Sequence, residues 1–148
     1  YGIFEVGMSK SGEINRLSKL IKPDLAIITN IAEAHIENFN NIKGIAKAKS
    51  EIINNIQKHG TLILNRDDKF FDYINNKAKS KNIKVVTFGK SKKSEIALLG
   101  SKKDGETKKI TVKVKNEIFK LKVKNITCFL GCFKRIKSRI KKNYTSIS

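Results

Sequence analysis

Short apolar runs alternate with helical patterns as far as residue 89, and this alternation constrains the fold more than any other feature of the sequence. The runs have the length and continuous apolar character of buried parallel strands, and they are Gly2–Met8, Asp24–Ile31, Thr61–Leu64 and Ile83–Phe88. The first helical pattern ends at Pro23 and has one apolar face, formed by Ile14, Leu17, Leu20 and Ile21. We therefore predict an α/β fold in which right-handed crossovers join parallel strands.

The central helical pattern carries a lysine inside its apolar stripe. Four residues at the spacing i, i+4, i+8 and i+11 would share one face of a helix: Ile45, Lys49, Ile53 and Ile56. A lysine is almost never fully buried without a partner. Its stem could cover apolar surface while the ammonium reaches water, or Lys49 and the loop residue His35 could point into one site. The periodicity leaves both interpretations open.

The remaining patterns complete the predicted fold. Gly60 suits the C-terminal cap of the central helix. A further helix is expected from about Lys69 to Lys81, packing through Phe70, Phe71, Ile74 and Ala78. After Gly89 the sequence changes to period-two alternation with turns at Asp104-Gly105 and Asn116-Glu117. This pattern predicts a small antiparallel sheet with one lysine-rich face.

The net charge of +19 would ordinarily suggest binding to nucleic acid or to an anionic membrane, but the distribution of the lysines weakens that interpretation. The lysines are spread over every segment and accompany many isoleucine and asparagine residues, which is the pattern of an AT-rich coding bias. Most of the charge is therefore interpreted as solvated surface, with a basic nucleic-acid-binding module as the alternative from another class. Cys128 and Cys132 make neither a disulfide framework nor a four-ligand zinc site. With no signal peptide and no apolar run of membrane-spanning length, a cytoplasmic monomer without stable membrane insertion is expected.

Four segments, in order, carry a family resemblance: FEVGMSKSGEI (4–14), TNIAEAHIENF (29–39), AKAKSEI (46–52) and LNRDD (64–68). They resemble the central ATP-binding domain of the Mur ligases, the ATP-dependent amide-forming enzymes of peptidoglycan precursor synthesis and so of cell-wall biogenesis. The resemblance covers roughly residues 1–124. It implies a P-loop-NTPase-like parallel-sheet domain that here lacks its first strand and Walker loop.

The implied organisation is an α/β core over 1–89 and a small antiparallel sheet of the same domain over 90–124. A divergent basic tail follows over 125–148, interpreted as a frameshifted or otherwise non-native end. No G-x-x-x-x-G-K-[ST] phosphate loop occurs in the chain, and in the family this loop lies upstream. The chain by itself is therefore expected to be an inactive fragment of the enzyme.

The implied reaction joins D-alanyl-D-alanine to UDP-N-acetylmuramoyl-tripeptide through an acyl phosphate, with ATP and Mg²⁺. The contexts Gly12-Glu13-Ile14 and Ala34-His35 favour this member of the family. The close alternatives are a sister Mur ligase and a folylpolyglutamate synthase-type amide ligase.

The resemblance also implies site roles. Glu5 and His35 match residues at two magnesium sites, Lys49 matches a lysine that is carbamylated, and Asn65 with Asp68 matches a motif near the nucleotide. Without the resemblance, Glu5, His35, Asn65 and Asp68 are more simply loop, cap or turn residues. The lysine chemistry is consistent with its role, because burial favours the neutral amine, which reacts with carbon dioxide. The resulting carbamate offers the oxygen ligands that Mg²⁺ requires.

Overall fold

The computed structural model describes residues 2–33 and 36–123, and the fold divides into two compact units, Tyr1–Glu95 and Ile96–Ser148. This boundary lies after the loop 90–95, whereas the sequence suggested a boundary after residue 89. Hydrogen bonds explain why the loop belongs to the first unit. The Asp67 carboxylate accepts bonds from the N–H groups of Lys90 and Ser91, and Thr87 and Glu95 exchange two bonds. The predicted tail 125–148 lies outside the described residues.

The first unit has helices around a parallel sheet. Its helices are α1 (Glu13–Ile21), α2 (Ile42–Lys49) and α3 (Phe71–Ser80), with 3-10 segments at Ile36–Asn38 and Ser50–Asn55. Its strands are β1 (Leu25–Ile28), β2 (Thr61–Asn65) and β3 (Lys84–Gly89). Strand β2 is central and pairs in parallel with both neighbours. The predicted α/β class is confirmed.

The core of this unit lies where α2, the 3-10 segment that follows it and α3 cover the sheet. Ile45, Ile53, Leu62 and Ile74 are almost completely buried there. Burying side chains of this size contributes about 1.5–3 kcal/mol each. The apolar stripe that the sequence placed on the central helix is therefore the stripe that packs.

The central helix ends earlier than predicted. It changes to 3-10 geometry at Ser50, and Ile56 is already extended. Gly60 is consequently not a helix cap, and that prediction is wrong. A Cβ at Gly60 would lie 2.5 Å from Ile56 Cγ2 and 2.9 Å from the Asp24 carbonyl oxygen, so close packing explains the glycine.

Two further predictions about the first unit are wrong. Residues Gly2–Met8 form no strand, and Ile3 and Phe4 are about 60% and 64% exposed. Among the described residues no strand pairs with this segment, so its backbone lacks the partner that an extended apolar run needs. Leu20 is 79% exposed instead of packing with α1's apolar face, because Ile14 and Ser18 form the buried side of that helix.

The second unit is an antiparallel sheet of β4 (Ile96–Asp104), β5 (Thr107–Val114) and β6 (Glu117–Val123). Strand β5 is central and pairs with both neighbours. Ile110 and Val112 form its small core with three partly buried residues, Leu98, Phe119 and Leu121. On the opposite face, neighbouring strands place three lysines directly across from one another: Lys102, Lys109 and Lys122. The predicted antiparallel sheet with a lysine-rich face is confirmed.

Candidate functional site

The candidate site lies beyond the carboxyl ends of β1 and β2. Because the parallel register sets Ile28 beside Leu64, the segments that follow these strands leave the sheet side by side. The first segment contains Asn30 and Ile31, and the second runs from Asn65 to Asp68. In open parallel sheets this edge is where ligands bind.

One peptide group at this edge is held from both sides. The Lys49 Nζ donates a 2.9 Å hydrogen bond to the carbonyl oxygen of Asn30. The N–H of the same peptide, which belongs to Ile31, donates a 2.6 Å bond to Asp68 Oδ2. Lys49 comes from the end of α2 and Asp68 from the segment after β2, so two distant parts of the chain meet at one peptide.

Lys49 is half-buried, and its environment favours the neutral amine. Burial lowers the pKa of Lys49 below the usual range of a lysine, and the negative charge of Asp68 partly opposes that shift. The residue therefore does not extend freely into water, as the simpler interpretation of the sequence allowed. Its amine lies against the backbone that follows β1, at the Asn30 carbonyl.

Asp68 and Asn65 bind the local backbone. The second carboxylate oxygen of Asp68 accepts a 2.8 Å bond from the Phe70 N–H, at the start of α3. The side-chain oxygen of Asn65 accepts a 3.0 Å bond from the Asp67 N–H. A cavity of about 10 Å³, enough for one water molecule, lies between the two segments and is bordered by Asn30, Ile31, Asn65 and Asp68.

Glu51 is a functional candidate that the sequence reasoning missed. Its carboxylate accepts bonds from the N–H groups of Gly12 (2.8 Å) and Asn15 (3.1 Å) and from the Ser11 hydroxyl (3.2 Å). Gly12 is the N-cap of α1 and has no side chain, so an acceptor from elsewhere must satisfy the first turn. A glycine at this position is the signal that could have identified Glu51. The carboxylate connects the 4–14 segment to the turn that follows Lys49.

Lys77 supports the same turn from α3. Its Nζ donates a 2.9 Å bond to the Oγ of Ser50, which is fully buried and itself donates to the Lys47 carbonyl. Burial lowers the pKa of Lys77, and the charge of Glu51 partly opposes this. Lys49 is thus followed by two residues, Ser50 and Glu51, that are fixed by different helices.

Among the described residues, Glu5 is the predicted metal ligand for which no contact with Lys49 is found. His35 lies outside the described residues. Glu5 is exposed in the irregular segment before α1. Within residues 2–33 and 36–123, no three His, Cys, Asp or Glu side chains are grouped so that they could hold a metal ion. The same part of the chain contains no helix that is long and apolar enough to cross a membrane.

Comparison with known proteins identifies the family. Residues 1–130 match the Mur ligase middle domain. The UDP-N-acetylmuramoyl-tripeptide–D-alanyl-D-alanine ligase of Rickettsia prowazekii is 40% identical over 90 residues, which is 60% of this chain and 20% of that protein. The ligase of the same name from Bacillus subtilis is 48% identical over 66 residues, 45% of this chain and 14% of that protein. The chain thus spans about a fifth or less of the length of these relatives.

Solved structures share the fold. The MurF structure from Acinetobacter baumannii superposes with a TM-score of 0.71 and 27% identity, covering 78% of this chain and 25% of that one. An L. casei FPGS structure gives a TM-score of 0.65 at 17% identity, covering 83% of this chain and 28% of that one, which shows a shared fold alone. With the family match over residues 1–130 and these relatives, the chain belongs to the Mur ligase middle domain family.

Proposed function

We propose that this chain is the ATP-binding middle segment of a ligase that joins D-alanyl-D-alanine to UDP-N-acetylmuramoyl-tripeptide. The observation that carries the proposal is Lys49, whose half-buried amine with its lowered pKa lies at the carboxyl edge of the parallel sheet. The names of the relatives from Rickettsia prowazekii and Bacillus subtilis support this substrate pair over those of sister ligases. We further propose a monomer that works in the cytoplasm on nucleotide-linked precursors and not on nucleic acid.

The proposed reaction has two steps. The γ-phosphoryl group of ATP passes to the terminal carboxylate of the tripeptide, giving an acyl phosphate and ADP. The amine of D-alanyl-D-alanine then attacks the acyl carbon, an amide bond forms, and phosphate leaves. Such reactions depend mainly on positioning and on stabilising charge between two anions. A solved MurF structure from Thermotoga maritima contains ADP, which supports ATP as the nucleotide.

Lys49 could take part in a magnesium site only if it is modified. An ammonium repels Mg²⁺, whereas a carbamate supplies anionic oxygens. The lowered pKa of Lys49 favours the neutral amine that carbon dioxide needs. The carbamate nitrogen keeps one N–H, so the bond to the Asn30 carbonyl can persist. By the family resemblance Glu5 and His35 would be the other ligands of Mg²⁺, which would offset the charge of ATP and the carboxylate; of the three, carbamylated Lys49 is the ligand that the described geometry supports.

The chain's own residues have separate proposed tasks. Lys49 presents its side chain at the end of β1, against the Asn30 carbonyl. Asn65, at the end of β2, would border the nucleotide. Glu51 and Lys77 fix the turn after Lys49 through Gly12 and Ser50. This arrangement keeps the reactive side chain in one orientation, which is what phosphoryl transfer requires of the protein.

A chimeric ligase tests the proposal. The part of the Bacillus subtilis relative's middle domain that corresponds to residues 2–123 is replaced by those residues, and phosphate release is measured with ATP, Mg²⁺, the tripeptide substrate and D-alanyl-D-alanine. We expect release that depends on the dipeptide and that falls by at least about a hundredfold in the Lys49→Ala chimera. The matched control is Lys58→Ala, at an exposed lysine in the loop before β2. A folded chimera without dipeptide-dependent release, or one that does not need Lys49, would contradict the proposed function.

A further inference from the structure

Among the described hydrogen bonds, the peptide group between Asn30 and Ile31 is the one group that contacts both Lys49 and Asp68. Lys49 donates to its carbonyl oxygen at 2.9 Å, and its N–H donates to Asp68 Oδ2 at 2.6 Å. The second bond is short and has a charged acceptor, which places it among the stronger hydrogen bonds of a protein. The two contacts are made to the two polar ends of one rigid amide group, its carbonyl oxygen and its N–H.

Both carboxylate oxygens of Asp68 are engaged with backbone N–H groups. Oδ2 accepts from Ile31, and Oδ1 accepts a 2.8 Å bond from Phe70. The Asp68 carbonyl in turn accepts from the Phe71 N–H, which anchors the residue at the start of α3. The carboxylate is thus used to connect the end of β1 with the start of α3. It is not presented as an open ligand.

The peptide that Asp68 contacts also carries the hydrogen-bond acceptor of Lys49, the Asn30 carbonyl oxygen. Asn30 lies two residues beyond β1, where no strand hydrogen bond fixes its carbonyl in the described register. Asp68 supplies that constraint from the opposite side of the amide. Without it, the peptide plane could rotate and the acceptor of the Lys49 amine would move.

We propose that Asp68 is a positioning residue: it fixes the Asn30–Ile31 peptide, and this peptide fixes the side chain of Lys49. The proposal changes the role that the family resemblance suggested, from a residue near the nucleotide to one that acts through another residue. Its catalytic consequence rests on the proposed function above, but its structural part does not. The loop that begins at Ile31 and leads to His35 takes its starting direction from the same contact.

The chain offers a matched control in the neighbouring aspartate. Asp67 also uses its carboxylate to accept two backbone N–H groups, but these belong to Lys90 and Ser91, after β3. Asp67→Ala therefore removes the same charge and a similar number of bonds, one residue away, without touching Ile31. Any effect specific to Asp68→Ala must come from the different partners.

The test uses NMR on the full 148-residue chain. In wild type we expect a slowly exchanging, downfield-shifted Ile31 amide and a rigid Lys49 Cε methylene. In Asp68→Ala the Ile31 exchange rate should rise by about 10- to 100-fold, and the Lys49 methylene should become mobile. Lys77, held by Ser50, should stay rigid in the same sample. Asp67→Ala should leave Ile31 and Lys49 as in wild type.

Two results would overturn the proposal. The first is a folded Asp68→Ala protein in which Ile31 exchange and Lys49 mobility are as in wild type. The second is an Asp67→Ala protein in which Ile31 exchange and Lys49 mobility rise as much as in Asp68→Ala. If Asp68→Ala does not fold, Asp68→Asn replaces it. The asparagine keeps one acceptor oxygen, which can serve Ile31 or Phe70 but not both, so mobility of Lys49 should be intermediate. In this variant the mobility of Lys49 should rise together with the Ile31 exchange rate, so an Asn variant in which Ile31 exchanges faster while Lys49 stays as rigid as in wild type would equally contradict the proposal.

The chimeric ligase separates positioning from nucleotide contact. Asp68→Ala in the chimera should lower kcat by about tenfold or more while the KM for ATP changes little, because the lost constraint acts on Lys49. A large rise in the KM for ATP with kcat unchanged would mean that Asp68 contacts the nucleotide. An inactive chimera with wild-type Asp68 would count against the proposed function, while the NMR result would still decide the positioning role.

Discussion

Removing the Glu51 carboxylate should loosen the junction between α1 and the turn after Lys49. In Glu51→Ala, the N–H groups of Gly12 and Asn15 and the Ser11 hydroxyl lose their acceptor. Gly12 cannot replace it, because it has no side chain. The first turn of α1 then relies on water, and the helix loses its only side-chain cap among the described contacts.

The magnitude follows from these contacts. Loss of an N-cap acceptor costs about 0.5–2 kcal/mol, and a charged acceptor is worth more than a neutral one. Because Glu51 is partly exposed, we expect a decrease of about 2 kcal/mol in the free energy of unfolding. For a chain of this size that corresponds to a Tm lowered by about 4–8 °C.

Urea unfolding followed by circular dichroism measures this change. The control is Glu106→Ala, an exposed residue in the β4–β5 turn, which makes the same change in net charge and should alter stability by less than about 0.5 kcal/mol. Glu51→Gln keeps one acceptor oxygen and should fall between wild type and Glu51→Ala. If Glu51→Ala is as stable as Glu106→Ala, the carboxylate does not hold the junction and our explanation of its role is wrong.

Two other substitutions have outcomes that the structure sets. Because burial lowers the pKa of Lys77, its unfolded state binds more protons between the folded and unfolded pKa values, so wild-type stability rises with pH in that window. The stability of Lys77→Met relative to wild type, measured by urea unfolding, should therefore be highest at neutral pH and fall towards about pH 10, and a relative stability that rises over that range would contradict the burial cost. Gly60→Ala places a Cβ 2.8 Å from the Gln57 carbonyl oxygen and should lower the free energy of unfolding by about 1–3 kcal/mol. Gly100→Ala is the control, because its Cβ meets nothing within 4 Å and the free energy of unfolding should hardly change. If the two variants are equally stable, Gly60 is not sterically required.

The elements that periodicity and turn residues specify could be predicted from the sequence. Strands β1, β2 and β3 lie within one to three residues of the predicted runs, because continuous apolar segments bounded by polar turns allow few alternatives. The segment 2–8 has the same pattern and forms no strand. A strand also needs a neighbouring backbone, and a single sequence pattern does not reveal whether that neighbour is present.

The candidate site was predictable in part. The stripe on the central helix singled out Lys49, and the structure places its amine at the strand edge. The partners of that amine were not predictable, because the Asn30 carbonyl and the Ile31 N–H are backbone groups that carry no sequence signal. For Glu51, the glycine at the start of α1 signals a missing cap, but which carboxylate supplies it depends on the fold bringing Gly12 and Asn15 to Glu51.

Carbamylation of Lys49 is the most direct test of the central claim, that this amine is the reactive lysine of the site. The 148-residue chain is incubated with ¹³C-bicarbonate at mildly alkaline pH and observed by ¹³C NMR. We predict one carbamate carbonyl resonance that disappears in Lys49→Met and persists in Lys77→Met, which removes the other lysine of the described residues that is half-buried and has a lowered pKa. A spectrum in which no carbamate signal depends on Lys49 would contradict the claim.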